Sequence, residues 1–375
     1  MNDKLAYIPV NEPNLNGNEK TYLNECINTG WISSEGPFIE KFEAAMAKRV
    51  SRTHGIAVAN GSAALDIAVA ALRLGKGDEV ILPSFTIISC AASIVRAGAT
   101  PVVVDCDPIT WNMTAEHVAS AITTRTRAIM LVHIYGLPVD LDPILILAEK
   151  YSLYVIEDAA QMHGQLYKNQ PCGSFGDIST FSFYPNKLVT TGEGGMILCN
   201  DHSLADRCRK LRNLCFEPYR RFIHEEIGWN YRMTNMQAAI GLAQLEKLDQ
   251  TIKRKRQIGR RYTAGLQDLL GLQLPLDHSD YAESLYWIYG IVLEDEICFD
   301  AVSAMERLHA VKIGTRPFFW PMHKQPVFKR MGLFKDAMCP VSEKLANRGF
   351  YLPSGLTLTD EQIDRIVSEV RQIYS

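Results

Sequence analysis

Lys187 stands in the stretch STFSFYPNKLVTTGEGGM (179–196), between an aromatic run and the cluster Gly192-Glu193-Gly194-Gly195. A lysine amine adds to a carbonyl only after losing its proton, which needs partial burial or a nearby cation. Phe181, Phe183, Tyr184 and Leu188 supply apolar surroundings, and the glycines let backbone approach a flat ring. On spacing alone, a surface lysine ahead of a glycine-rich hairpin is the plainer reading.

Two further stretches change that balance. In VIEDAAQ (155–161) an apolar strand ends in Asp158. A carboxylate there can keep a pyridine nitrogen protonated, although strand-end acids also serve as helix caps. In ANGSAAL (59–65) a strand, a tight Gly61 turn and a helix start follow one another. The free N–H groups and dipole of such a start suit a phosphate, and Ser62 as an ordinary N-cap is the competing explanation. Each signal is weak alone. Together and in this order they supply what pyridoxal 5'-phosphate (PLP) needs: a phosphate cup, an acid for the ring nitrogen and an amine for its carbonyl carbon.

These residues need a sheet to hold them. Strand candidates run Gly55–Ala59, Glu79–Pro83, Pro101–Asp105, Ala128–Ile134, Tyr154–Asp158, Ile178–Phe183 and Gly195–Cys199. Helical patterns lie at Ser62–Leu74 and around 86–97, 115–122 and 142–151. Strands alternating with helices predict an α/β fold with a mainly parallel central sheet flanked by helices, and ligands at the carboxyl ends of its strands. A long helical stretch follows over Asn235–Leu266, then a loop over Gly271–Ser279. A strand at Tyr286–Leu293, a helix at Phe299–His309, a strand at Val311–Arg316 and a C-terminal helix from Asp360 complete the pattern. Thr359 and Gln362 stand at capping-box spacing before that helix. The expected division is a large domain over 1–250 and a smaller α+β C-terminal domain over 251–375.

The 375 residues carry a net charge of −3, which offers no electrostatic reason to expect nucleic acid or a membrane surface. The run Lys253-Arg254-Lys255-Arg256 falls in a helical pattern and reads as a solvated face. Nine cysteines without CxxC pairs, and no signal peptide, predict reduced thiols in the cytoplasm. No pair of histidines has helical metal-ligand spacing, so no metal is expected. There is no GxGxxG with a following acid for a nicotinamide cofactor, and Ala70 breaks a P-loop ahead of Gly75-Lys76.

The chain resembles the DegT/DnrJ/EryC1/StrS sugar aminotransferases, within the fold-type-I PLP enzymes. GWISSEGPFIEKFE (30–43), ANGSAALD (59–66), GDEVILPSFT (77–86), LVHIYGLPVDLDPI (131–144), VIEDAAQ (155–161), GSFGDISTFSFYPNK (173–187), TTGEGGM (190–196) and GWNYRMTNMQAAIGLAQLE (228–246) carry the resemblance. GTRPFFWPMH (314–323) narrows it to members acting on GDP-4-keto-6-deoxymannose. The implied reaction is transfer of an amino group from L-glutamate to a nucleotide-linked 4-keto-6-deoxy sugar, giving GDP-perosamine for surface polysaccharide (O-antigen) biosynthesis. A dTDP- or UDP-linked keto sugar, a cyclitol, or a non-catalytic PLP-binding role are the alternatives.

The resemblance implies a role for each matching residue. Lys187 holds PLP as a Schiff base and moves the proton, and Asp158 pairs with the ring nitrogen. Gln161 lies near the phenolic oxygen. Gly61, Ser62 and Ser182 hold the phosphate, joined by Asn230 from the neighbouring subunit, so a homodimer with shared active sites is implied. Trp31, Ser33, Glu193, Arg316 and His323 are implied on the substrate side, while His133 and Tyr135 read as strand-end packing. Two positions depart from the pattern. Ile87 replaces the usual aromatic that stacks on the ring, and Gln161 stands where the GDP-sugar members usually carry Glu. Related sugar 3-dehydratases put histidine in place of the lysine, so Lys187 favours transamination.

Overall fold

The computed structural model describes residues 6–217 and 219–374. Seven strands form the central sheet: β1 (His54–Val58), β2 (Glu79–Pro83), β3 (Thr100–Val104), β4 (Thr126–Val132), β5 (Tyr154–Asp158), β6 (Ile178–Ser182) and β7 (Gly195–Cys199). Their order is β1-β7-β6-β5-β4-β2-β3. Pairings among β2 to β6 are parallel, and β7 runs against both its neighbours. The reason for that exception is local. The helices Gly61–Ala71, Ile88–Arg96, Ala115–Ala121 and Leu141–Tyr151 carry the chain back between parallel strands, but the connection 183–194 holds no helix and returns directly. β2 and β7 are buried along their whole length, which explains why the strands read as continuous apolar runs.

A second sheet comprises β8 (Leu272–Gln273), β9 (Tyr289–Leu293), β10 (Arg316–Pro317) and β11 (Gly349–Leu352), in the order β8-β9-β11-β10 and wholly antiparallel. It has its own core, in which Tyr262, Ile291, Leu308, Phe350 and Ile366 meet Ile8 from near the start of the chain. The helix Asp360–Ile373 begins with the expected capping box of Thr359 and Gln362.

Several segments differ from the sequence reading. The helical stretch 235–266 is broken at Lys247 (φ −106°, ψ 5°) into Asn235–Glu246 and Leu248–Leu266. The strand expected over 311–316 shrinks to Arg316–Pro317. Lys312 there adopts φ 66° in the turn that ends the helix Ala301–Ala310, which bends the chain out of extension. The loop expected over 271–279 includes β8, which pairs with β9.

The helices Glu19–Thr29 and Pro37–Arg49, unread in the sequence, pack against Asn235–Glu246. Asn235 ties them together. Fully buried, it accepts from the Phe38 N–H (2.9 Å), donates Nδ2 to the Trp31 carbonyl (2.8 Å) and gives its own N–H to the Ser33 carbonyl (2.6 Å). Asn235→Ala leaves the Phe38 N–H and Trp31 carbonyl without these partners. That substitution is expected to cost about 2 kcal/mol, read as a lowered midpoint in chemical denaturation against wild type.

Candidate active site

Because β1, β4, β5 and β6 all run the same way, their carboxyl ends lie along one edge of the sheet. Asp158 ends β5 there, buried. Its Oδ1 accepts from the Ala160 N–H (3.0 Å) and its Oδ2 from the Cys90 thiol (3.3 Å). Burial pushes its pKa up, against those two hydrogen bonds and the charge of Lys187.

Lys187 closes the turn after β6, its N–H donating to the Tyr184 carbonyl (2.9 Å). The residue is half-buried, and its Nζ lies 3.7 Å from the centre of the Trp287 ring. Burial lowers the pKa of the amine to about 7, opposed by the charge of Asp158. An acid and an amine perturbed in the same cleft mark a chemical site.

The helix Gly61–Ala71 starts beside them. Asn60, rather than Ser62, is its cap: the Asn60 Oδ1 accepts from the Ala63 N–H (2.8 Å). Ser62 turns its hydroxyl to the Ser89 Oγ at 2.7 Å. The Gly61 and Ser62 N–H groups, in the first turn, have no acceptor within the helix. A side chain at 61 would put its Cβ 2.7 Å from the Ser182 Cβ, so glycine is required where the helix start meets the end of β6.

Gln161 is oriented by the main chain. Its Oε1 accepts from the Tyr135 N–H (2.5 Å), which leaves the amide NH₂ as donor. Gly61, Ser62, Asp158, Gln161, Ser182 and Lys187 line one cavity of about 560 Å³, with Glu193 at its exposed mouth. The Thr180 Oγ1 and Asn186 Oδ1 belong to the same lining and are buried without a hydrogen-bond partner among the described residues. Unmet polar atoms, an acid, a free amine and uncapped helix amides fit PLP.

Other expected positions fall elsewhere. His323 does not line the cavity. It is buried with Nδ1 on the Ser84 Oγ (2.8 Å) and Nε2 on Glu343 (3.0 Å), so both nitrogens are engaged within the chain. Trp31 and Ser33 are exposed and outside the lining, their carbonyls bound by Asn235. Arg316 is exposed on β10, opposite Tyr351, which does line the cavity. Asn230 is exposed and outside it, accepting from the Arg232 Nε (3.1 Å).

The sequence reading missed Trp287, Phe319 and Tyr351, whose aromatic faces join Tyr135 in the wall. Nothing in their spacing points to the site, since they come from the second sheet and its flanks. Ile87 lines the same cavity as these rings. Among the described residues, His133, Glu157 and Cys172 come close enough to hold a metal ion. His133 Nδ1 accepts from the Val139 N–H and Glu157 accepts from the Gly173 and Phe175 N–H groups, so the cluster is already hydrogen-bonded.

The chain matches the DegT/DnrJ/EryC1/StrS aminotransferase family over residues 13–371. It is 42% identical to the GDP-perosamine synthase of Escherichia coli O157:H7, covering 99% of this chain and 100% of that one. The GDP-perosamine synthase of Caulobacter vibrioides is also 42% identical, covering 98% and 99%. Among solved structures, the aminotransferase TlmJ from Streptoalloteichus hindustanus superposes with a TM-score of 0.91 at 30% identity, covering 97% and 98%. These likenesses agree with the expected fold class.

In the cofactor-free protein, acetylation of Lys187 followed by peptide mass spectrometry is expected to rise with a midpoint near pH 7. Asp158→Asn removes the charge that favours the ammonium form and moves that midpoint lower. A midpoint near the ordinary lysine value of 10.5 would contradict the site geometry.

Proposed function

The chain belongs to the DegT/DnrJ/EryC1/StrS aminotransferase family and is a PLP-dependent transaminase. From that premise we propose that it transfers the amino group of L-glutamate to C4 of a nucleotide-linked 4-keto-6-deoxy sugar. The proposed substrate is GDP-4-keto-6-deoxymannose and the product GDP-perosamine, made in the cytoplasm for surface polysaccharide such as O-antigen. Likeness to two GDP-perosamine synthases over nearly the whole chain supports the sugar. The observation that carries the chemistry is the meeting of Lys187, Asp158 and the Gly61–Ser62 helix start in one cavity of about 560 Å³. That volume is within the range of sites that enclose a cofactor or small ligand.

In this reading Gly61 and Ser62 amides with the Ser182 hydroxyl bind the cofactor phosphate, aided by the helix dipole. Gln161 offers its NH₂ to the phenolic oxygen, and Lys187 is the point of covalent attachment. When bound, PLP supplies a protonated ring that draws electrons from the carbon beside the transferred nitrogen. Asp158, as an anion, keeps that ring nitrogen protonated. Lys187, neutral for part of the time near pH 7, would take a proton from that carbon and return it to the carbon on the other side of the transferred nitrogen. The aromatic wall and buried floor keep bulk water from the amine.

Asn230 stands outside the cavity of its own chain, which supports its proposed service to the phosphate of a second copy, in a homodimer with shared sites. Trp31 and Ser33 are proposed on the substrate side of such a completed site, with Glu193 and Arg316 nearer the mouth. Residues 1–250 and 251–375 are proposed as the large and small domains. One observation favours a second reading, the same reaction on a dTDP- or UDP-linked keto sugar: Gln161 stands where the GDP-sugar members usually have Glu.

Lys187→Ala is expected to remove the visible absorbance of the enzyme and lower turnover by about a thousandfold or more. A panel of nucleotide-linked 4-keto sugars with glutamate, products read by mass spectrometry and NMR, tests the substrate. Failure with every 4-keto hexose would sink the sugar assignment while leaving transamination. Mixing inactive Lys187→Ala and Asn230→Ala chains after subunit exchange is expected to restore activity through the one intact site in each mixed dimer. Two variants that stay inactive when exchanged would argue against shared sites.

A further inference from the structure

A fully buried lysine lies outside the cavity lining and takes no part in the reaction described above. Lys255, on the helix Leu248–Leu266, is 2% exposed and has no carboxylate partner among the described residues. Its Nζ donates to the Trp287 carbonyl (2.7 Å) and to the Ser354 carbonyl. Ser354 in turn accepts the Tyr289 N–H on its Oγ (2.9 Å) and gives its own N–H to the Val10 carbonyl (3.0 Å). Burying an ammonium against carbonyls alone is costly, and burial lowers its pKa to about 7. A hydrophobic side chain would fill the same space without that cost.

The carbonyl it holds belongs to the residue whose ring meets Lys187. Trp287 is 5% exposed, and the chain just before it is bonded to the Gly136 segment. The Leu285 N–H donates to the Gly136 carbonyl (2.9 Å), and any side chain at Gly136 (φ 115°) would meet the Tyr286 and Trp287 nitrogens at 2.7 Å. At its far end the indole Nε1 donates to the Asn186 carbonyl (2.8 Å), next to Lys187 in sequence. Backbone and ring are therefore both pinned, and the ring face lies 3.7 Å from the Lys187 Nζ.

We propose that the Trp287 face is the resting surface for the Lys187 ε-amine whenever that amine is not bonded to cofactor, and that Lys255 is a positioning residue that holds Trp287 there. This rests on Lys187 being the cofactor lysine. The negative face of an indole stabilises an ammonium that burial would otherwise discharge, so the amine keeps both forms accessible. The other groups acting on it are Asp158 from β5, Cys90 from the helix Ile88–Arg96 and the neutral His163 after β5. None of these is altered in the test.

The full-length protein is stripped of PLP, and the rate at which visible absorbance returns on adding PLP is followed against pH, since only the free amine reacts. Wild type is expected to show a midpoint near 7. Trp287→Met, which keeps apolar bulk but no π face, is expected to lower it by about one unit, and Trp287→Phe by less. Lys255→Met is expected to shift it in the same direction, and Trp287→Met combined with Lys255→Met to go no lower than Trp287→Met alone. A midpoint unchanged or raised in both Trp287 variants would overturn the resting-surface proposal. Lys255→Met with a lower melting temperature and an unmoved midpoint would overturn the positioning role and leave Lys255 a packing residue. Should Trp287→Met fail to fold, the shift in Trp287→Phe decides. Absorbance that never returns in wild type, or returns equally in Lys187→Ala, would mean instead that the cofactor assignment is wrong.

Discussion

Val132, Asp158 and Thr180 lie side by side across β4, β5 and β6, in the parallel register that the rest of the site depends on. Side chains alternate along a strand, so a slip of one residue would turn Asp158 away from the cavity and bring Glu157 into it. The two acids share a strand and have opposite tasks. Glu157, fully buried on the other face, accepts from the Gly173 and Phe175 N–H groups and meets the His133 Nε2 at 3.0 Å. Arg52 binds the Gly173 and Gly176 carbonyls and adds its charge close to Glu157. The satisfied acid secures the segment that leads into β6, and the less satisfied one faces the chemistry.

With that register in place, the remaining parts of the site follow from chain direction. β1, β5 and β6 deliver the helix start, the acid and the lysine turn to one edge because all three point the same way. The helix-free return from β6 to β7 allows Lys187 to sit in a turn rather than at a helix terminus. Electrostatics then act through burial. The same apolar surroundings push Asp158 up and Lys187 down, and their opposite charges moderate both shifts.

The second sheet completes the enclosure. Tyr135, held at φ 56° with its N–H on Gln161, packs its ring at 4.9 Å from Phe318 and 5.2 Å from Phe319. A left-handed backbone at a bulky residue is strained, and here it lets one residue orient a cavity-lining amide and dock the smaller sheet. Trp287 continues that wall to Lys187 itself, with the backbone of the wall fastened by Lys255.

Lys187, Asp158 and the Gly61 turn were legible in the sequence because each depends on a local sign: an apolar strand that stops, a glycine, a helix that starts. The order of strands and helices likewise dictated the sheet and its active edge. Which side chain caps a helix was harder, since Asn60 and Ser62 both qualify and only the backbone of Asn60 is extended as a cap requires. His323 carried the right chemistry in a suggestive motif, yet folding spends both its nitrogens on Ser84 and Glu343. Trp287 and Tyr351 had no local sign at all, and Lys255, read with its basic run as part of a solvated face, is buried. Their partners lie about 30 to 100 residues away, as with Lys255 and Trp287 (32) or Trp287 and Asn186 (101). Periodicity and spacing report neighbours along the chain, so the groups that meet in the cavity were written locally. The surfaces that surround and hold them were decided only when distant segments packed together.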